Sequence, residues 1–133
     1  MTSTIVYEDE FGEVIDRPDL DLIEIRWFDT TTALDAPTFH TWLTHFADAV
    51  EQAGRRRVLT DSTSFGMDMA HMDGDWRDQN IIPRYNSAGV QKFAFHLPAG
   101  APPIGAPPTH EGPSHYPTAY FGARSDALAW LSS

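Results

Sequence analysis

Residues 35–61 narrow what this chain can fold into more than any other stretch. Phe39, Trp42, Leu43, Phe46, Ala49, Val50 and Ala53 recur at three- and four-residue spacing. That spacing puts them on one stripe of a helix with a single face to bury. Asp35 stands before the run as an N-cap, and Pro37 suits the first turn. Gly54 follows, the residue type that most readily closes a helix in the left-handed region. Apolar strand patterns flank the helix at residues 20–28 and 56–61. A strand, a crossover helix and a strand give a parallel pair with a right-handed crossover, so the chain is expected to be α/β.

The remaining segments attach to that unit. Ile5-Val6-Tyr7 and Phe11 to Ile15 read as a first strand bulged at Gly12. Arg17-Pro18-Asp19 is a turn. In the second strand Ile23, Ile25 and Trp27 share one face, and Leu22, Glu24, Arg26 and Phe28 the other. A short turn between neighbours makes the pair antiparallel. Past residue 66, Asp73 or Asp75 is positioned to cap a helix through Trp76, Ile81, Ile82 and Tyr85. Pro83 lacks an N–H, so it kinks that helix or starts a new turn, and Gly89 ends it. Gln91, Phe93, Phe95 and Leu97 alternate along a further strand. Residues 98–117 are dense in Pro and Gly and form a long loop, which in a compact domain is functional or mobile. A last strand at 118–122 leads to a short helix capped by Ser125, with Leu128 and Leu131 docked on the sheet and Trp130 beside them. The expected whole is one domain over 1–133, a mixed sheet of about five strands. A helix pair covers one face, and the last helix packs beside it.

At 133 residues a single core forms without staples. With no cysteine, disulfides, thiolate metal sites and a Cys nucleophile are excluded. The formal charge of −10 opposes nucleic acid and anionic membranes. The one basic cluster, Arg55-Arg56-Arg57, reads as cations at a helix C-terminus. The first residues lack a secretory layout, and no apolar run nears the ~18–20 residues that span a bilayer. A soluble, cytoplasmic protein is expected, with a homodimer as a reasonable assembly.

Residues that carry chemistry concentrate between 61 and 85. His71, Asp73, Asp75 and Asp78 form a polar cluster, read either as oxygen and imidazole ligands or as ordinary caps and turns. His110, Glu111 and His115 sit in the Pro/Gly loop, as zinc-type ligands or as a solvated stretch that folds over a pocket. Asp61 reads as a base, a cap or a partner of Arg57. Arg77 reads as an anchor for a carboxylate or phosphate, or as a partner of surface acids. Met67, Met69, Met72 and Trp76 make an adaptable apolar group. No Gly-x-Ser-x-Gly elbow, Gly-rich phosphate loop or dedicated metal motif is present, so no cofactor and no metal are expected.

Three pieces resemble one superfamily: Arg57-Val58-Leu59-Thr60-Asp61, Lys92-Phe93-Ala94-Phe95, and the closing segment from Phe121-Gly122-Ala123-Arg124 to Ala129-Trp130-Leu131. Together they look like the SpoIIAA-like superfamily, which includes STAS domains and lipid-binding relatives. The resemblance implies a central strand ending at Asp61, with Ser62 at the position of a regulatory phosphoserine in anti-sigma antagonists. Its lipid-binding branch implies an apolar cavity between sheet and loop.

The leading expectation is a binding or regulatory module for an apolar or amphipathic small molecule, or a protein partner. Its site is formed by residues 62–85 and the Pro/Gly loop: Asp61, Ser62, Met67, Met69, Met72, Trp76, Arg77, Tyr85, His110 and His115. The alternative is a cofactor-free isomerase, cyclase or hydrolase on a hydrophobic intermediate, with His71, Asp73 and Tyr85 as acid/base groups. A phospho-regulated anti-sigma antagonist is third.

Overall fold

The computed structural model describes residues 3–68 and 73–133. It builds one six-stranded mixed sheet in which the strands lie side by side in chain order. β1 (Thr4–Glu8) and β2 (Gly12–Arg17) form an antiparallel hairpin, and β2 also pairs antiparallel with β3 (Leu22–Trp27). The single bulged strand expected at the start is thus two strands, which raises the count to six. Asp9 explains the reversal. Its carboxylate accepts from the Phe11 N–H at 2.8 Å and from the indole Nε1–H of buried Trp42 at 3.1 Å. The turn is thereby closed on itself and fastened to the first helix. The register shift falls between Ile5 and Tyr7 rather than at Gly12. Gly12 serves close approach instead: a Cβ there would stand 2.7 Å from the Arg26 carbonyl oxygen.

α1 (Ala36–Ala53) follows the expected stripe. Asp35 accepts from the Thr38 N–H at 2.9 Å, and Gly54 at φ +68° closes the helix onto Val50. Phe39, Trp42, Leu43, Phe46 and Val50 are buried. The chain then returns in β4 (Arg57–Asp61), parallel to β3. α2 (Gly74–Asn80) and α3 (Ile82–Ala88) meet at Ile81, and Pro83 lies in the first turn of α3, where its missing N–H costs nothing. β5 (Lys92–His96) and β6 (Thr118–Phe121) extend the parallel half. β4 therefore runs between β3 and β5 in the middle of the sheet.

The two-residue period of the strands sorts the core onto two faces. Ile23, Ile25, Trp27, Val58 and Phe93 pack with α1, Ile81 and Tyr85. Leu22, Leu59 and Ala94 pack with Ala127 and Leu131 of α4 (Arg124–Leu131), joined by Leu128 and Trp130. The last helix was expected beside the helix pair, and it lies on the opposite face. Its cap is also different: Ala123 holds the N-cap position with no side-chain bond, and Ser125 sits inside the first turn. Lys92 closes the other end, donating to the Trp130 carbonyl at 2.8 Å, a cation where the helix dipole favours one.

On the α4 face Glu24 is fully buried. Arg124 donates to both its oxygens, at 2.6 and 2.8 Å, and Arg17 to one at 2.9 Å. Burial alone would raise the Glu24 carboxyl, but the arginine hydrogen bonds and charges outweigh it and hold the pKa below the ordinary value.

Candidate functional site

Toward the carboxyl ends of the parallel strands, the α1 face opens into a cavity of about 460 Å³. Its floor follows from strand parity: Ile25 and Trp27 of β3, Thr60 of β4, Phe93 and Phe95 of β5, and Tyr120 of β6. Phe39, Leu43 and Phe46 of α1, Arg77 of α2 and Tyr85 of α3 make the walls. Ala101, Pro102, Pro103 and Glu111 of the Pro/Gly loop cover it, with Ser62 and Phe65 at the rim. Rings dominate the surface. Phe95 stacks on Tyr120 with centroids 5.1 Å apart at 9°, and Phe93 lies 5.1 Å from Phe95 and 5.8 Å from Tyr85.

The loop is held over this cavity by named bonds. Asn86 of α3 donates through Nδ2 to the Pro113 carbonyl at 3.0 Å and accepts from the His115 N–H at 2.8 Å. Thr109 and Thr118 exchange backbone bonds at 3.0 and 2.7 Å, which pins the loop to the start of β6. The Tyr120 hydroxyl donates to the Glu111 carboxylate.

Among the described residues few polar groups reach the cavity. Tyr85 is 1% exposed, and burial pushes its phenol up to about 12 against the nearby positive charges of Arg77 and Arg84. Tyr120 is raised too, first by burial and then by Glu111, so both phenols are neutral donors at ordinary pH. The Arg77 guanidinium lies 5.7 Å from the centroid of Phe93, within cation–π range.

Arg77 differs from every other cation. Arg17, Arg26, Arg55, Arg56, Arg84 and Arg124 each pair with a carboxylate. Arg57 donates to the Leu20 carbonyl, and Lys92 to carbonyls at the C-terminus. Among the described residues, no hydrogen bond or ion pair reaches the Arg77 guanidinium. The cluster Arg55-Arg56-Arg57, expected to serve the end of α1, instead ties that end to Asp16, Asp21 and Leu20.

The residues singled out from sequence separate clearly. Ser62, Arg77 and Tyr85 line the cavity. Asp61 does not, because strand parity sends Thr60 to this face and Asp61 to the other. There it accepts from the Thr63 N–H at 3.1 Å and lies 3.6 Å from Arg26 Nε, so its partner is Arg26 rather than Arg57. Met67 is a buried member of the core. Trp76 stacks on His40 at 3.9 Å and 6° instead of shaping the cavity. Asp73 caps α2, accepting from the Trp76 N–H at 3.1 Å, and is exposed, whereas Tyr85 is buried. Met69, His71 and Met72 lie outside the described residues. His110 and His115 are exposed, whereas Glu111 between them lines the cavity. Among the described residues no three His, Asp or Glu side chains gather as a metal site.

Ser62 does not start a helix. Its N–H donates to the His96 carbonyl at 2.8 Å, a turn follows, and the next described helix begins at Gly74. Thr60 and Tyr120 were missed as cavity residues, and Glu111 was singled out only as a loop residue beside His110 and His115. Parity along β4 carried the signal for Thr60, and the inward alternation of Phe93, Phe95 and Leu97 implied an inward residue on the neighbouring strand.

A second groove of about 360 Å³ lies between β1, β2 and α1. Its carboxylates are engaged, Asp16 by Arg55 and Asp48 by Arg84. Among the described residues no helix is long and apolar enough to cross a membrane. No family model, curated protein or solved structure matches this chain.

Proposed function

We propose that the protein is a binding module that holds an apolar or amphipathic small molecule between the sheet and the Pro/Gly loop. The observation that carries this reading is the ring-lined cavity of about 460 Å³ with only a few inward polar groups. Its volume and character match those of small-molecule sites. The SpoIIAA-like assignment belongs to the same proposal, supported by the central β4 ending at Asp61 and the closing β6–α4 unit.

Nile red, a neutral apolar fluorophore, should brighten on binding the purified protein. Leu97→Trp puts a large ring on a cavity-lining position and should abolish the signal while the far-UV circular dichroism stays unchanged. Equal brightening in both proteins would place the dye elsewhere and remove the support.

The Tyr120–Glu111 hydrogen bond favours a second reading, a cofactor-free acid/base enzyme. It sets two titratable groups together at the cavity. Native mass spectrometry of the ligand co-purifying with wild type and with Glu111→Gln separates the two. A binding module carries the same mass in both. An enzyme carries substrate in the variant and product in the wild type.

A further inference from the structure

We infer that the cavity is built for an organic carboxylate: a flat apolar body over the rings, with its single negative charge on Arg77. The inference rests on the binding reading and adds the chemical class of the ligand.

The chain has nineteen acidic side chains and nine basic ones. With acids in twofold excess, an arginine without an acidic partner is the unusual case. Eight of the nine cations have polar partners, and Arg77, among the described residues, has none. Residues 69–72 bring no carboxylate to it, since they are Met, Ala, His and Met. Arg77 is half-buried on a cavity wall, above the face of Phe93. A guanidinium removed from water without a counter-charge is costly. Seating it on a ring face recovers part of that cost and leaves its in-plane N–H groups free to donate.

Those donors have the geometry of a carboxylate's two oxygens. The neutral phenol of Tyr85 adds a further inward donor beside them. Glu111 limits the charge the site tolerates. Its carboxylate lines the same cavity and already accepts from Tyr120. A dianionic phosphate would set twice the charge of a carboxylate against it, so the repulsion disfavours the dianion more than the monoanion.

Matched probes test this by isothermal calorimetry at pH 7. 2-Naphthoate and naphthalene-2-carboxamide share shape and differ in charge. A charge-assisted hydrogen bond in a partly buried site is worth about tenfold or more in affinity, so naphthoate should bind the wild type at least that much more tightly. Arg77→Met keeps an apolar stem on an exposed-edged helix. It should erase the difference, chiefly by weakening naphthoate. If carboxamide and naphthoate bind wild type equally, the anion anchor is overturned and the apolar binding reading stands. If neither binds, both fall. If 2-naphthyl phosphate binds more tightly than 2-naphthoate, the assignment to a monoanionic carboxylate is overturned. The wild-type comparison needs no variant, so it decides the matter even if Arg77→Met folds poorly.

Discussion

Glu24 is the residue on which the α4 face turns. It is fully buried among Arg17, Arg124 and Arg26, with three close hydrogen bonds from the first two. Glu24→Gln keeps one acceptor oxygen, sets an NH2 donor against the guanidinium groups and leaves two arginines without their counter-charge. Because Arg17 and Arg124 keep 21% and 33% of their side-chain surface, the cost should fall below that of a wholly buried pair, at about 2–3 kcal/mol for Glu24→Gln. The sign with pH follows from the lowered carboxyl. A depressed folded-state pKa contributes stability that is complete above the unfolded value, near 4.5, and is lost as pH falls through the folded value. Urea denaturation of wild type and Glu24→Gln should therefore show a penalty that is full at pH 7 and shrinks below pH 4.5. A penalty that stays constant into strong acid would mean that packing, not the charge, is what Glu24 supplies.

At the level of elements, the β1–β2 hairpin hangs on one carboxylate. Asp9 closes the turn through Phe11 and receives the Trp42 indole N–H from α1. Asp9→Ala leaves a buried indole donor unsatisfied and should cost about 1–3 kcal/mol. Amide exchange should quicken in β1 and β2 while β4 and β5 stay protected. Uniform loss across all six strands would contradict this local role. The same hairpin shows where sequence reading stops. The α1 stripe and its Asp35 and Gly54 caps are local chemistry, the parallel β3–β4 pair follows from the strand–helix–strand crossover, and Pro83 marked a kink or a restart, so each was legible. The reversal at Asp9 was not, because it depends on a partner 33 residues away in α1. The face taken by α4 depends likewise on long-range packing against Leu22, Leu59 and Ala94. For the cavity, Ser62, Arg77 and Tyr85 stood out as polar groups in one segment. Asp61 and Trp76 misled because being near a strand end or on the right helix does not fix which way a side chain points. Parity along β4 and stacking on His40 decided those two.

The molecule as a whole divides its work between the two faces of one sheet. The α4 face is sealed by a small apolar layer and a satisfied charge network, and the α1 face keeps a ring-lined hollow beneath a tethered loop. The four tryptophans report on that division. Trp27 lines the hollow, Trp42 is fixed to Asp9 beside it, Trp76 stacks on His40, and Trp130 sits on the α4 face. The most direct measurement is a titration of ¹⁵N-labelled protein with naphthalene-2-carboxamide, following the four indole N–H resonances. The Trp27 signal should move progressively and saturate while that of Trp130 stays in place. Movement of Trp130 without Trp27, or no movement of any indole at millimolar ligand, would contradict the account.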